Sequence, residues 1–272
     1  MANFLGVDCG ATTLRVGIVD QNGILQSQKQ LPSPLKNQPE KLAEMVKDQI
    51  RGERVDGIGV GVPGPLDLEK GLLLPSSNLA NITPIPITHF FEVVFNTKIH
   101  LDRDTNVALL GEAWKGAAVG LNNVVMLTLG SGVGGAILDQ GQLEHGETSK
   151  AGELGHMYIE IPDLLTKVDL EILPKCGLGH QGCLEALINS SKNIDELSIY
   201  LGYGLANIVD IFNPELILIG GGKLFLGDFL PKAIAIMKTV GMKPAVDEVR
   251  VEYAKLKEWS GVYGAAKLGM NV

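Results

Sequence analysis

The chain runs through one pattern twice, and that repeat limits its fold more than any other feature. Residues 3–8 read as a buried strand, Gly10 as a turn, and residues 14–20 as an alternating second strand. Asn22-Gly23 signals a hairpin, since both residues tolerate the left-handed backbone of a tight turn, and residues 24–30 form a third strand. A helix over 39–50 follows, with Leu42, Met45, Val46 and Ile50 on one side, then a strand over 55–62 that ends at Pro63-Gly64-Pro65. The same order returns over 124–129, the turn 130–132, strand 133–139, turn Gln140-Gly141, a short strand near Leu143, a helix over 195–212 and strand 216–219 running into Gly220-Gly221-Gly222. Such a repeat predicts two duplicated α/β domains around a central cleft, with the glycine turns at strand ends facing it. Residues 106–120 read as a helix joining the halves, and 261–270 as a helix that packs back on the first. The expected domains are therefore 1–106, joined by 260–272, and 107–259.

Composition narrows the partners. The 272 residues carry a net charge of −8 and no basic run, which argues against a nucleic-acid partner. No apolar stretch reaches the roughly 18 residues of a membrane span, and Asp8 interrupts the first apolar run, unlike a signal peptide. Three cysteines without disulfide-scaffold spacing fit a reducing cytoplasm, the expected compartment.

Many of the 34 glycines follow apolar runs directly, where backbone must turn tightly or approach a ligand. Asp8-Cys9-Gly10-Ala11-Thr12 sets a carboxylate at a strand end before a turn and a hydroxyl. The turn can offer N–H groups to phosphate and the aspartate can order a magnesium ion or its water; a plain hairpin held by Asp and Thr side chains reads equally well. Gly130-Ser131-Gly132-Val133-Gly134-Gly135 fits G-x-G-x-x-G, but a strand follows it where a dinucleotide fingerprint needs a helix, so a hairpin phosphate loop is expected. No G-x-x-x-x-G-K-[ST] run is present, which disfavours a P-loop enzyme. Gly220-Gly221-Gly222 would let the backbone lie against adenine or ribose, or serve as a packing turn.

Asp104 follows a short strand over 99–102 and precedes a helix, a place that favours its ionised form and suits a general base for phosphoryl transfer. Helix capping by Asp104 or Asn106 explains the same residues. Ala151-Gly152-Glu153-Leu154-Gly155-His156 and Cys183-Leu184-Glu185 gather carboxylates and an imidazole suited to ring hydroxyls.

Taken together, Asp8-x-Gly10-x-Thr12, Gly59-x-Gly61-x-Pro63-Gly64-Pro65, Asp104-x-Asn106, the run 129–135, the motifs at 151–156 and 182–186, Asn213-Pro214-Glu215 with Gly220-Gly221-Gly222, and Gly264-Ala265-Ala266 resemble the ROK kinases over nearly the whole chain. The resemblance implies an actin-like ATPase (ribonuclease H-like) fold and phosphorylation of a sugar hydroxyl by MgATP. Glucose is the first expectation; N-acetylmannosamine, fructose, mannose and allose are alternatives, as is a catalytically silent sugar-binding or regulatory member. By motif position Asp104 is the base, while Asn78, Arg103, Glu153, His156 and Glu185 attend the sugar. Asp8, Gly10, Thr12, Gly130, Ser131 and Gly132 attend the phosphates, and Gly221 the adenosine. A homodimer is implied. The family's regulators resemble the chain but carry an added N-terminal DNA-binding domain.

The chain departs from the family pattern in several places. Arg103 stands where the family usually has a sugar-holding Asn, Ala11 replaces a usual Gly, and Ile82 a frequent Trp. The family's zinc site uses a His and three cysteines of C-x-C-G-x-x-G-C. Here Leu178 removes one thiolate and leaves His156, Cys176 and Cys183, with His180 as a substitute.

Overall fold

The computed structural model describes residues 1–75, 83–159 and 173–271. Strand β1 (Asn3–Cys9) sits inside its sheet, with Leu5, Val7 and Cys9 buried in an apolar core. It pairs antiparallel with β2 (Thr13–Asp20), which pairs antiparallel with β3 (Leu25–Pro32). Helix α1 (Leu42–Ile50) leads to β4 (Gly57–Val62), parallel to β1 and buried at all six positions, as a parallel strand covered on both faces must be. A small ribbon of β5 (Leu66–Asp67) and β6 (Leu72–Leu73) precedes α2 (Ile87–Phe95). Strand β7 (His100–Arg103) then joins β4 in parallel and feeds α3 (Asp104–Lys115). The sheet order is β3-β2-β1-β4-β7.

The pattern recurs with β8 (Val124–Leu129), β9 (Val133–Asp139) and β10 (Gln142–Leu143), an antiparallel meander. After α4 (Leu184–Ser190) and α5 (Ile194–Phe212), β11 (Leu216–Gly220) returns parallel to β8. Helices α6 (Leu230–Val240) and α7 (Ala245–Glu248) lead to β12 (Arg250–Tyr253), parallel to β11, and α8 (Ser260–Leu268) closes the chain. The order β10-β9-β8-β11-β12 repeats the first sheet, pairing for pairing, in keeping with the repeated order of elements that the sequence predicts. Helix α5 starts where Asn193 accepts the Glu196 N–H at 2.9 Å and stops at Asn213, whose φ of 42° ends the helical run.

Two compact units result, each with its own core. One comprises Met1–Gly120, His145–Ala151 and Ala254–Val272; the other Leu121–Glu144 and Gly152–Tyr253. The sequence reading divides the chain at 106 and extends the helix there to 120. In the structure α3 begins at Asp104, ends at Lys115 and lies wholly in the first unit. The reason is its packing against α8. A Cβ added to Gly264 would fall on the Val107 carbonyl, and one added to Gly111 on the Ser260 carbonyl, so the two helices meet backbone to backbone. Helix α8 seats equally closely on the sheet, where Gly6 faces Val262 and Gly59 faces Ala265.

Glu112, fully buried, anchors this seam. Its carboxylate accepts from the N–H groups of Ala117 (2.8 Å), Lys255 (3.1 Å) and Leu256 (2.8 Å) and from the Ser260 hydroxyl (2.7 Å). A buried charge is tolerable only when satisfied in this way. Among the described residues, no helix is long and apolar enough to cross a membrane.

Because overpacking a rigid seam costs about 1–3 kcal/mol or more, Gly264→Val is expected to lower the midpoint of urea unfolding sharply. Gly222→Ala, where an added Cβ meets nothing, should leave that midpoint within error.

Candidate active site

Parallel strands put their carboxyl ends on one side of a sheet, where α/β proteins bind ligands. In the first unit, Asp8 lies near the end of β1 and Asp104 follows the end of β7, both strands running parallel to β4. The two carboxylates feel one another. Burial first, and then the Asp104 charge, push the Asp8 carboxyl up to about 7, against the opposing pull of Arg15 across the β1–β2 pair. The missing side chain of Gly261, in the first turn of α8, leaves room for the Asp8 carboxylate. Asp104 opens α3, with its Oδ1 accepting the Thr105 N–H at 2.8 Å. A buried carboxylate whose proton affinity is raised with a second carboxylate nearby belongs to a donor set that a divalent cation relieves, so Asp8 fits the expected magnesium role.

Each sheet carries a glycine hairpin between its first two strands. In the first, the Gly10 N–H donates to Thr13 at 2.9 Å; in the second, the Gly130 N–H donates to Gly132 at 2.9 Å. A Cβ on Gly130 would meet nothing, so the outer side of that loop is open to a ligand. Gly221, at the end of β11, has a φ of 94° and lies against the Leu129 backbone, so a side chain there is excluded on both counts. Ser131 is held through its carbonyl by the Asn189 amide at 2.9 Å.

The expected sugar residues divide into three groups. Asn78 lies outside the described residues. In the second unit, Glu153 starts a short 3-10 turn, and the His156 Nε2 stands 3.9 Å from its Oε2. Glu185, buried, has one oxygen on the Val133 N–H (2.8 Å) and the other near the Gly177 N–H (3.2 Å). It thereby ties the hairpin after β8 to the cysteine loop, a role its sequence position did not announce. Arg103, 5% exposed, directs its guanidinium at protein groups: Nη2 donates to the Asn106 Oδ1 at 3.0 Å and to the Ala151 carbonyl.

His156, Cys176, His180 and Cys183 form one cluster, with their ligand atoms all within 4.8 Å of one another. The loop from Cys176 to His180 closes through the Cys176 N–H on the His180 carbonyl (2.9 Å), which brings His180 to the cluster while Leu178 turns outward, 51% exposed. His180 therefore supplies the fourth donor that Leu178 removes. Burial pushes the Cys183 thiol up to about 11, so its proton stays on at neutral pH until a cation displaces it. Two sulfurs and two imidazoles at this spacing fit tetrahedral zinc. The His156 Nδ1 lies 4.0 Å from the Cys183 sulfur, leaving Nε2 toward Glu153.

Sequence reasoning missed Glu112 and the pairing of Asp102 with His145, whose Nε2 lies 2.8 Å from the Asp102 Oδ2. The alternation Asp102-x-Asp104-x-Asn106 at a strand–helix junction was the available signal.

Comparison with known proteins places these motifs in context. The model of the ROK family matches residues 4–194 and 188–271. The chain is 28% identical to a glucokinase of Thermotoga maritima, covering 97% of this chain and 96% of that protein. It is also 28% identical to an N-acetyl-D-glucosamine kinase of Shigella boydii, over 98% and 99%. The crystal structure of a ROK hexokinase from Thermus thermophilus superposes with a TM-score of 0.79 at 26% identity, covering 99% of this chain and 98% of that one.

Two expectations follow. The Asp8 carboxyl binds its proton more tightly in the folded state, about 7 against 3.8 unfolded. Its contribution to stability is therefore full below pH 4 and is lost as the pH rises through 7. In metal-free buffer, Asp8→Asn should raise stability at pH 8 by on the order of 2 kcal/mol and change it little at pH 4, as urea melts at both values will report. Protein purified without added zinc should carry about one zinc per chain; His180→Ala and Cys183→Ser should lose it, whereas Cys9→Ser should not, by elemental analysis.

Proposed function

The chain belongs to the ROK family, and on that premise we propose that it transfers the γ-phosphoryl group of ATP to a hydroxyl of a hexose. The observation that carries this reading is the pair of carboxylates at the ends of β1 and β7, one of them at a helix N-terminus. Asp104 accepts the proton of the attacking hydroxyl. The hydroxyl oxygen bonds to phosphorus, the bond from phosphorus to the bridging oxygen breaks, and ADP leaves with that electron pair. Asp8 would hold a magnesium ion or its water, and magnesium when bound would supply charge neutralisation for the phosphates. Gly10 and Thr12 in the first unit, and Gly130, Ser131 and Gly132 in the second, offer hairpin donors to phosphate oxygens, and Gly221 the bare backbone for the nucleoside.

Glu153 and His156 hold acceptor hydroxyls, with the imidazole fixed by the cysteine–histidine cluster. Glu185, already engaged by two N–H groups, keeps lone-pair directions for a further donor. Support for a sugar acceptor comes from the glucokinase and N-acetyl-D-glucosamine kinase relatives, and glucose is the leading acceptor.

An ADP-release assay with MgATP against hexoses, hexosamines and N-acetylhexosamines should give turnover with one group of sugars. Asp104→Asn should lower kcat by at least about a hundredfold while calorimetry still detects sugar binding. Full activity in that variant removes Asp104 as the base, and silence of the folded parent protein toward every sugar removes the kinase reading.

A further inference from the structure

The buried end of β7 does more than present Asp104. Asp102 and Arg103, 2% and 5% exposed, are linked through Asn106, which is fully buried. The Asn106 amide donates to the Asp102 Oδ1 at 2.8 Å and accepts from the Arg103 Nη2 at 3.0 Å; the same Oδ1 accepts the Arg103 N–H at 2.7 Å. This closed ring grips one loop at both ends. The Asp102 Oδ2 holds His145 at 2.8 Å, and the Arg103 Nη2 holds the carbonyl of Ala151. The loop closes on itself where the Ala151 N–H donates to the His145 carbonyl at 3.0 Å. Residues His145–Ala151 accordingly pack with the first unit, although the chain on either side of them belongs to the second. Inside the loop Ser149 holds a φ of 60°, a backbone state that a serine left to itself seldom adopts.

We propose that Arg103 is a positioning residue. It clamps the loop 145–151 to the end of β7, and so sets the starting point of Gly152-Glu153, the next residues along the chain. This inference rests on the kinase reading for its functional consequence, and on geometry alone for the clamp. An asparagine at 103 has a short neutral amide and cannot span to both Asn106 and Ala151 as the long guanidinium does. Arg103 therefore directs its Nη2 donors to Asn106 and to the Ala151 carbonyl of the chain itself. His145 is the second anchor of the same clamp.

Hydrogen exchange of the ligand-free protein, read by mass spectrometry, tests the clamp without reference to turnover. In Arg103→Asn, amides of residues 145–151 should exchange about tenfold faster, with β1, β2 and β4 unchanged. Arg103→Lys should fall between, and His145→Ala, which alters a partly exposed side chain and spares the buried ring, should loosen the same amides if the arginine variants fold poorly. In kinetics, each variant should raise the KM for sugar by about tenfold with the KM for ATP little changed. The double variant Arg103→Asn/His145→Ala should be no worse than the poorer single one, because both anchors serve one loop. Unchanged exchange in a folded Arg103→Asn protein overturns the clamp, and so do effects of the two residues that multiply. If the parent protein turns over no sugar, the kinase reading fails and the exchange result still decides the clamp.

Discussion

The first unit depends on a helix that arrives last. Helix α8 lies so close to β1, β4 and α3 that Gly6, Gly59, Gly111 and Gly264 can each carry only hydrogen where the backbones meet. Such a seam buries little side-chain volume, yet it fixes the relative heights of three elements within narrow limits, because backbone cannot yield as a side chain can. The carboxylate of Glu112 then holds the approach to α8 by two N–H groups and a hydroxyl, and the segment after α3 by a third N–H group. Removing it would strand four donors in a dry place. The candidate chemistry inherits this rigidity. Asp8 rests against Gly261 in α8, and Asp104 heads the helix that α8 packs upon.

Repetition gives each sheet the same hairpin and the same parallel strand ends, and the two have been put to different use. The first unit places two carboxylates at its strand ends, and burial first, then the nearby Asp104, raises the proton affinity of Asp8. The second offers open backbone at Gly130 and binds the Glu185 carboxylate at the Val133 N–H of its hairpin, beside a cysteine–histidine cluster.

Buried polar groups carry much of the specification. Asp102, Arg103 and Asn106 hydrogen-bond one another in a ring, and Glu112 is satisfied by three backbone N–H groups and a hydroxyl; in both cases buried polar groups are kept inside by partners fixed within the fold. The cysteine–histidine cluster follows the same logic from another direction. His180 stands two residues beyond Leu178, and only the closed turn from Cys176 brings its ring into range.

The strands, the two hairpins and the long α5 were legible from period, turn chemistry and caps, since each is decided by neighbours within a few residues: the alternation of residues 14–20, Asn22-Gly23, and the stop at Asn213-Pro214. The duplicated order of elements was also present in the sequence alone, whereas the strand pairings came with the structure. Helix α2 was not legible, because Ile87–Phe95 is short and made mostly of β-branched and aromatic residues, which favour strands, although Ile87 and Phe91 share its buried face; nor was β12, a short and half-exposed edge strand. The extent of α3, the grip of Glu112 on residues 255–260, the diversion of Arg103 to Ala151 and the recruitment of His180 were decided by tertiary structure. Each joins residues whose meeting depends on where other elements have already been packed, and no local pattern encodes that distance.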